Sequence, residues 1–259
     1  MREWINGFLS NESSFGKLMT KCGIIIGANL LFVIAALPLV TMGPAWAALC
    51  HVMMKTLRGD GVLNPVREFF RGLCANFKAA FLVWIAALAM GAVLYLDVRF
   101  CYQASGWIGA FRYPAIALGI AEMIVLIYLY PVLVSFEGKI GALIGHSLYF
   151  AFHKPWKMAI LLFFNVFPMY LTFTDPQDMP LYAFLWAFFG FGAIAMLNMR
   201  LLLPEFLPYL PVVDSAGDFI LDEHGEKIRP GSEEDTENGR GEEEKTEKEI
   251  LKEMEKLGM

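Results

Sequence analysis

Residues 37–49 read Leu37-Pro38-Leu39-Val40-Thr41-Met42-Gly43-Pro44-Ala45-Trp46-Ala47-Ala48-Leu49, and they directly follow an apolar run from Cys22 to Ala36. Pro38 breaks that run, because its ring removes a backbone donor and clashes with the preceding turn. The Gly43-Pro44 pair predicts a turn. Pro44 then stands near the first position of a second apolar helix, where a missing N–H costs little. This junction sets how often the chain crosses a bilayer, and no residue in it looks catalytic.

Composition agrees with a membrane chain. Hydrophobic residues make up 57% and charged residues 18%, against about 45–50% and about 25% in an average soluble domain. Mean hydropathy is +0.50. Charge is unevenly spread: residues 1–211 hold 14 Lys and Arg against 10 Asp and Glu, and residues 212–259 hold 7 against 16. The formal net charge of −5 therefore describes neither part. We read 1–211 as a transmembrane helical domain and 212–259 as an acidic, largely disordered C-terminal tail. Within the tail, Asp218 to Arg229 has the pattern of a short hairpin, and Ile250, Leu251, Met254 and Leu257 fall at helical spacing. An acidic tail is repelled by anionic lipid, and no nucleic-acid partner is expected.

Four further runs are long and apolar: Phe77 to Leu96, Tyr113 to Phe136, Met158 to Phe173 and Leu181 to Leu203. A hydrocarbon core of about 30 Å takes about 20 helical residues. Trp84, Trp107, Trp156, Tyr113 and Tyr182 stand near run ends, as in an interfacial aromatic belt. The run from Met158 is short and contains Pro168, so it is expected to borrow Pro155 to Lys157 or to bend.

Five crossings would place the termini on opposite sides, and the positive-inside rule tests that arrangement. The connection 174–180 carries Asp175 and Asp178 and no Lys or Arg, so it is outside. The connection with Lys139, Lys154 and Lys157 is then inside, the one around Arg99 to Arg112 outside, and the stretch with Lys55, Arg58, Arg67, Arg71 and Lys78 inside. A single first crossing would leave Arg2, Lys17 and Lys21 outside, which is the wrong sign. A return helix from Pro44 to Leu57 brings the N-terminus inside and reconciles every loop. It is too short to span alone and must lean on neighbours or be re-entrant. The fold class is therefore all-α: a polytopic membrane bundle of five long helices and one short return helix, both termini cytoplasmic. Ala45-Trp46-Ala47 superficially fits a signal-peptidase site, but Glu3 and Glu12 precede the apolar run and Pro44 precedes the site, so cleavage is not expected.

The two inner connections resemble each other. Phe69 to Ala79 leads into the third helix and Ser147 to Ala159 into the fifth, each an amphipathic stretch followed by an aromatic-Lys pair. A parallel repeat or simple convergence on an interfacial composition would explain them equally. Arg67, Arg71, Lys78, Lys154 and Lys157 form the expected cytoplasmic interface, where a soluble partner could dock.

Chemistry-bearing residues are sparse. Cys22, Cys50, Cys74 and Cys101 have no zinc-type spacing and read as small apolar residues. His51 reads as a polar contact near the end of the return helix. His146 and His153 have no carboxylate cluster beside them. No phosphate-binding glycine loop, hydrolase elbow or HExxH occurs. Neither enzymatic activity nor a cofactor or metal is expected. Glu122, near the middle of an apolar helix, and Asn29, Asn165 and Asn198 form the candidate intramembrane polar site. Glu122 is expected to face the bundle interior with one of these amides as partner. Pro38, Gly43 and Pro44 are the structural turn. Gly23 and Gly27 fit a small-xxx-small contact.

Asn29-Leu30-Leu31, Leu37 to Ala45, Ala48-Leu49, Arg58-Gly59-Asp60, Phe69-Phe70 and Asn76-Phe77-Lys78 together resemble the YesL family, bacterial membrane proteins without assigned biochemistry. The resemblance runs from about Phe8 to about Pro211, and beyond the first third it rests on hydropathy alone. It implies a multi-pass protein of a Gram-positive-type cell membrane, commonly encoded beside carbohydrate ABC importers and polysaccharide-degrading enzymes. It implies no catalytic residues, and it does not extend to the acidic tail. The function expected is that of a non-enzymatic accessory or scaffolding protein in the bacterial cell (inner) membrane, associated with carbohydrate uptake, its partners the lipid bilayer and subunits of an ABC importer. The alternative is a small-molecule transporter or channel using Glu122 and the intramembrane Asn residues.

Overall fold

The computed structural model describes residues 14–210, apart from 59–63, 105, 137 and 175. The expectations for the tail, 212–259, lie outside the described residues. In chain order the helices are α1 (Ser14–Ala36), α2 (Met42–Arg58), α3 (Pro65–Gln103), α4 (Arg112–Ser135), α5 (Ile140–His153), α6 (Pro155–Thr174), α7 (Met179–Leu185) and α8 (Phe191–Phe206). A π turn, Trp186–Gly190, joins α7 to α8 without a break. Short 3-10 turns precede α2, α4 and α7. The chain divides into two compact units, Met1–Leu203 and Pro204–Met259. The first is the helical bundle; the described part of the second holds the last turn of α8 and a 3-10 turn, Leu207–Tyr209.

Five helical segments are long and apolar enough to cross a membrane: Leu18–Ala36, Pro65–Gln103, Ile108–Ser135, Pro155–Thr174 and Met179–Tyr209. Their outer faces are apolar as well. Val93, Leu96, Leu118, Phe163, Tyr170 and Phe184 are all more than half exposed. Apolar surface on this scale is a membrane-contacting surface. The protein is an all-α, polytopic membrane bundle.

The short return helix is the centre of that bundle. In α2, Ala45, Ala47, Ala48, Leu49, Cys50, Val52 and Met53 are fully buried, and the helix packs against α1, α3 and α4. Small residues allow close approach on several sides at once. Its 17 residues need not meet lipid, so its shortness carries no mismatch cost.

The turn before α2 differs from expectation in one respect. It is made by 37–41, where Thr41 Oγ1 donates to Ala35 O at 2.6 Å and to Pro38 O at 2.9 Å. Ala35 O lies in the last turn of α1, where the break at Pro38 removes helical donors, whereas Pro38 O also accepts from Thr41 N at 2.9 Å. Gly43 and Pro44 are already helical, and the only positive-φ glycine among the described residues is Gly106. Gly43 is required by packing instead. A Cβ there would collide with the Trp84 side chain of α3 and come within 2.9 Å of Tyr130 Oη of α4. Gly72 of α3 is the reciprocal case, since a Cβ there would lie 2.8 Å from Cβ of His51 on α2. Gly27 likewise lies against Pro65, but among the described residues nothing comes within 4 Å of where a Cβ on Gly23 would be.

A second difference concerns the two amphipathic stretches. The first is no separate element: α3 runs unbroken for 39 residues, about 58 Å at 1.5 Å per residue. Its start is set by Pro65 at the first turn and by Asn64, whose side chain accepts from Val66 N at 3.1 Å and Arg67 N at 3.4 Å. The second stretch is the independent helix α5. It stops at Lys154, which takes φ −135° and ψ 80°, because the residue before a proline is driven out of the helical region. Pro155 then opens α6, which does take in Pro155 to Lys157.

Candidate functional site

Three polar constellations lie among the described residues of the bundle, and Glu122 belongs to none of them. The first joins α2 to α3. Lys55 Nζ lies 3.0 Å from Glu68 Oε2, His51 Nε2 lies 3.5 Å from the same oxygen, and Arg71 Nη1 lies 3.9 Å from Oε1. Glu68 is buried. A buried carboxylate is tolerated when paired, and here Lys55 is its close partner while Arg71 remains largely exposed. His51 and Lys55 are one helical turn apart and present a common face. The sequence reading anticipated a polar contact for His51 and overlooked Glu68. The available signal was that Glu68 is the one acidic residue between Asp60 and Asp97, set within a basic stretch.

The second constellation is built on Asn29 of α1, which is fully buried. Its Nδ2 donates to Trp186 O at 3.0 Å and Ala187 O at 2.6 Å, and its Oδ1 accepts from Gly192 N at 2.7 Å. These are backbone groups in and just after the π turn. A π turn lets the regular i to i+4 ladder slip, so carbonyls and amides there need other partners. One asparagine supplies all three bonds. Gly192 makes the approach feasible, since a Cβ there would lie 2.9 Å from Ile25 Cγ2 and 3.3 Å from Asn29 Cβ.

The third is an amide pair between α6 and α8. Asn165 Nδ2 donates to Asn198 Oδ1 at 2.9 Å and Asn198 Nδ2 returns the bond to Asn165 Oδ1 at 3.2 Å. Asn165 Nδ2 also donates to Leu161 O at 2.8 Å. Nearby, Trp186 Nε1 donates to Thr172 Oγ1 of α6 at 2.9 Å.

Glu122 stands apart. It is half-buried and has no hydrogen-bond or ion-pair partner among the described residues. Its Oε2 lies 3.8 Å from where a Cβ on Gly91 would be. The expectation that Glu122 pairs with Asn29, Asn165 or Asn198 is therefore corrected. Each amide is engaged with other groups, and a carboxylate without a partner avoids full burial. The four residues do not form one site.

Between α2, α3, α4, α6 and the α7–α8 rod lies a cavity of about 220 Å³, whose walls include Trp46, Trp84, Tyr130, Asn165, Trp186 and Phe191. Trp84 is thus not a free interfacial residue, and its Nε1 donates to Leu39 O at 2.8 Å. Trp107, Trp156 and Tyr113 are exposed, as a belt position requires. Of the basic interface residues, Arg67, Arg71, Lys78 and Lys154 are exposed, and Lys157 is half-buried with Nζ donating to Leu201 O at 3.1 Å. His153 stacks on Tyr149, and His146 meets Phe136 edge-on.

Residues 25–98 match a protein family described as "Protein of unknown function, DUF624". That segment contains the junction and the basic-aromatic start of α3. The chain is similar to three uncharacterised proteins of Bacillus subtilis (strain 168). It is 23% identical to YteU over 199 residues, covering 74% of this chain and 86% of YteU. It is 24% identical to YesV over 167 residues, covering 64% and 80%, and 25% identical to YesL over 126 residues, covering 49% and 59%. No solved structure matches. The chain is thus a polytopic membrane protein related to bacterial proteins of unassigned function.

Proposed function

We propose that this protein is a non-enzymatic accessory or scaffolding component of the bacterial cell membrane that works beside a carbohydrate importer of the ABC type. The observation that carries this reading is how the intramembrane amides are used. Asn29, Asn165 and Asn198 are committed to joining helices. A translocation path needs polar groups with spare bonding capacity along one continuous route, and Glu122 shares no constellation with the amides. The link to an importer comes from the YesL-family resemblance. A docking surface is available in the exposed aromatic and basic residues Phe70, Arg71, Phe77, Phe152 and Trp156, and the loop charge pattern supports a cytoplasmic position for them and for both termini.

Crosslinking in intact cells, followed by purification in mild detergent and identification of partners, is the direct test. Recovery of an importer's membrane or ATPase subunit is the expected result. Sugar flux through the purified protein alone in liposomes, lost in Glu122→Gln, would instead establish the transporter reading. Orientation is tested separately in a variant lacking the four native cysteines. An impermeant thiol reagent applied to intact cells should leave Glu12→Cys and Asp235→Cys unlabelled, and labelling of Glu12→Cys from outside would overturn the topology.

A further inference from the structure

One wall residue of the cavity beside α2 carries an unused polar group. The indole N–H groups of Trp84 and Trp186 are committed to Leu39 O and Thr172 Oγ1. The Asn165 amide is committed to Asn198 and Leu161. Tyr130 differs. It is 3% exposed, and its hydroxyl has no hydrogen-bond partner among the described residues. The hydroxyl points toward Gly43, another wall residue, where even a Cβ would lie 2.9 Å away. A buried hydroxyl without a partner is costly, so a structure that retains one in a cavity wall is arranged to meet something there.

We propose that this cavity is a binding site for a neutral, mainly apolar molecule or chain segment carrying one oxygen that pairs with Tyr130 Oη. No wall residue is charged, so a charged ligand would lose hydration without gaining a countercharge. The aromatic walls offer a large apolar contact area. A dry cavity of about 150 Å³ holds benzene, so about 220 Å³ admits a substituted ring or a short chain. Met123 and Met169 are wall residues that are 38% and 43% exposed. They mark the open side, and their flexible thioethers can adapt to a guest. The ligand therefore enters from the bilayer. Two sources share this chemistry: a lipid acyl chain with its ester oxygen, or a free hydrophobic alcohol or carbonyl compound.

The probe is 8-bromooctan-1-ol, whose bromine quenches tryptophan fluorescence, titrated into the full-length protein in mild detergent. Three of the chain's six tryptophans line the cavity, so a saturable quenching component is expected. Tyr130→Phe, which removes only the hydroxyl, should weaken that component about three- to tenfold, the loss of one hydrogen bond. Titration with 1-bromooctane, which has no oxygen, should be unchanged by the same substitution. Ile194→Phe, which narrows the cavity from α8, should remove saturation with both probes. Added unbrominated phosphatidylglycerol separates the sources. Competition identifies a lipid chain as the occupant, and an unchanged titration identifies a free molecule, and both support the site. Quenching that rises linearly without saturation, or a Tyr130→Phe effect equal for alcohol and alkane, would overturn the proposal.

Discussion

Glu68 and Glu122 are both carboxylates on long, mostly apolar helices, and the bundle treats them in opposite ways. Glu68 is 8% exposed, with a lysine at 3.0 Å and a histidine at 3.5 Å. Glu122 is half-buried, and its Oε2 lies 3.8 Å from where a Cβ on Gly91 of α3 would stand. The difference lies in what the facing helix supplies. α2 presents His51 and Lys55 one turn apart, so α3 can draw Glu68 inward, whereas the part of α3 opposite Glu122 presents Gly91. Burial follows the availability of a partner, because enclosing an unpaired carboxylate costs more than apolar packing returns. The residue most conspicuous in the sequence is therefore the less integrated of the two.

This contrast can be broken by substitution. Glu68→Leu leaves Lys55 and His51 facing each other without a counterion. It should destabilise the protein by about 2–3 kcal/mol, below the about 3–5 kcal/mol of a fully enclosed pair because Arg71 remains in solvent. Equilibrium unfolding in mixed mild-detergent and SDS micelles measures the loss. Adding Lys55→Met should recover part of it, and strict additivity of the two losses would show that the ion pair does not couple α2 to α3.

Asn29→Leu tests a neutral version of the same logic. It strips three bonds from the π turn and its flank, and a loss of about 1–2 kcal/mol is expected by the same measurement. An unchanged unfolding midpoint would mean that the π turn is held by packing alone. The smallest effect belongs to Glu122→Leu. With no partner to orphan, the change should stay within about 0.5 kcal/mol of the parent or stabilise slightly. A large loss would reveal a partner that binds Glu122 in the assembled membrane complex.

Much of the architecture was legible along the chain because lipid imposes a one-dimensional rule. Backbone groups must be satisfied within each crossing segment, so length and hydropathy identify the helices. The break at Pro38, the return helix, and the extension of α6 back to Pro155 followed from local chemistry of that kind. Two boundaries did not. α3 continues through the stretch around Gly72, since one glycine lowers helix propensity by only about 1 kcal/mol, and tertiary contact with His51 compensates. Within Leu181 to Leu203 nothing local marks the π turn at Trp186–Gly190, because its backbone groups are completed by a residue from α1.

The sequence by itself determined the class, the number and placement of the apolar helices, the short helix returning after Pro38, and the charge asymmetry behind the topological reading. Tertiary structure alone decided which polar residue meets which. It buried Glu68 rather than Glu122, joined Asn165 to Asn198, committed Asn29 to a backbone 157 residues away, and left Tyr130 facing a cavity. The physical reason is range. Hydropathy and proline act within a few residues, whereas a buried polar group is governed by partners that only packing brings within about 3 Å.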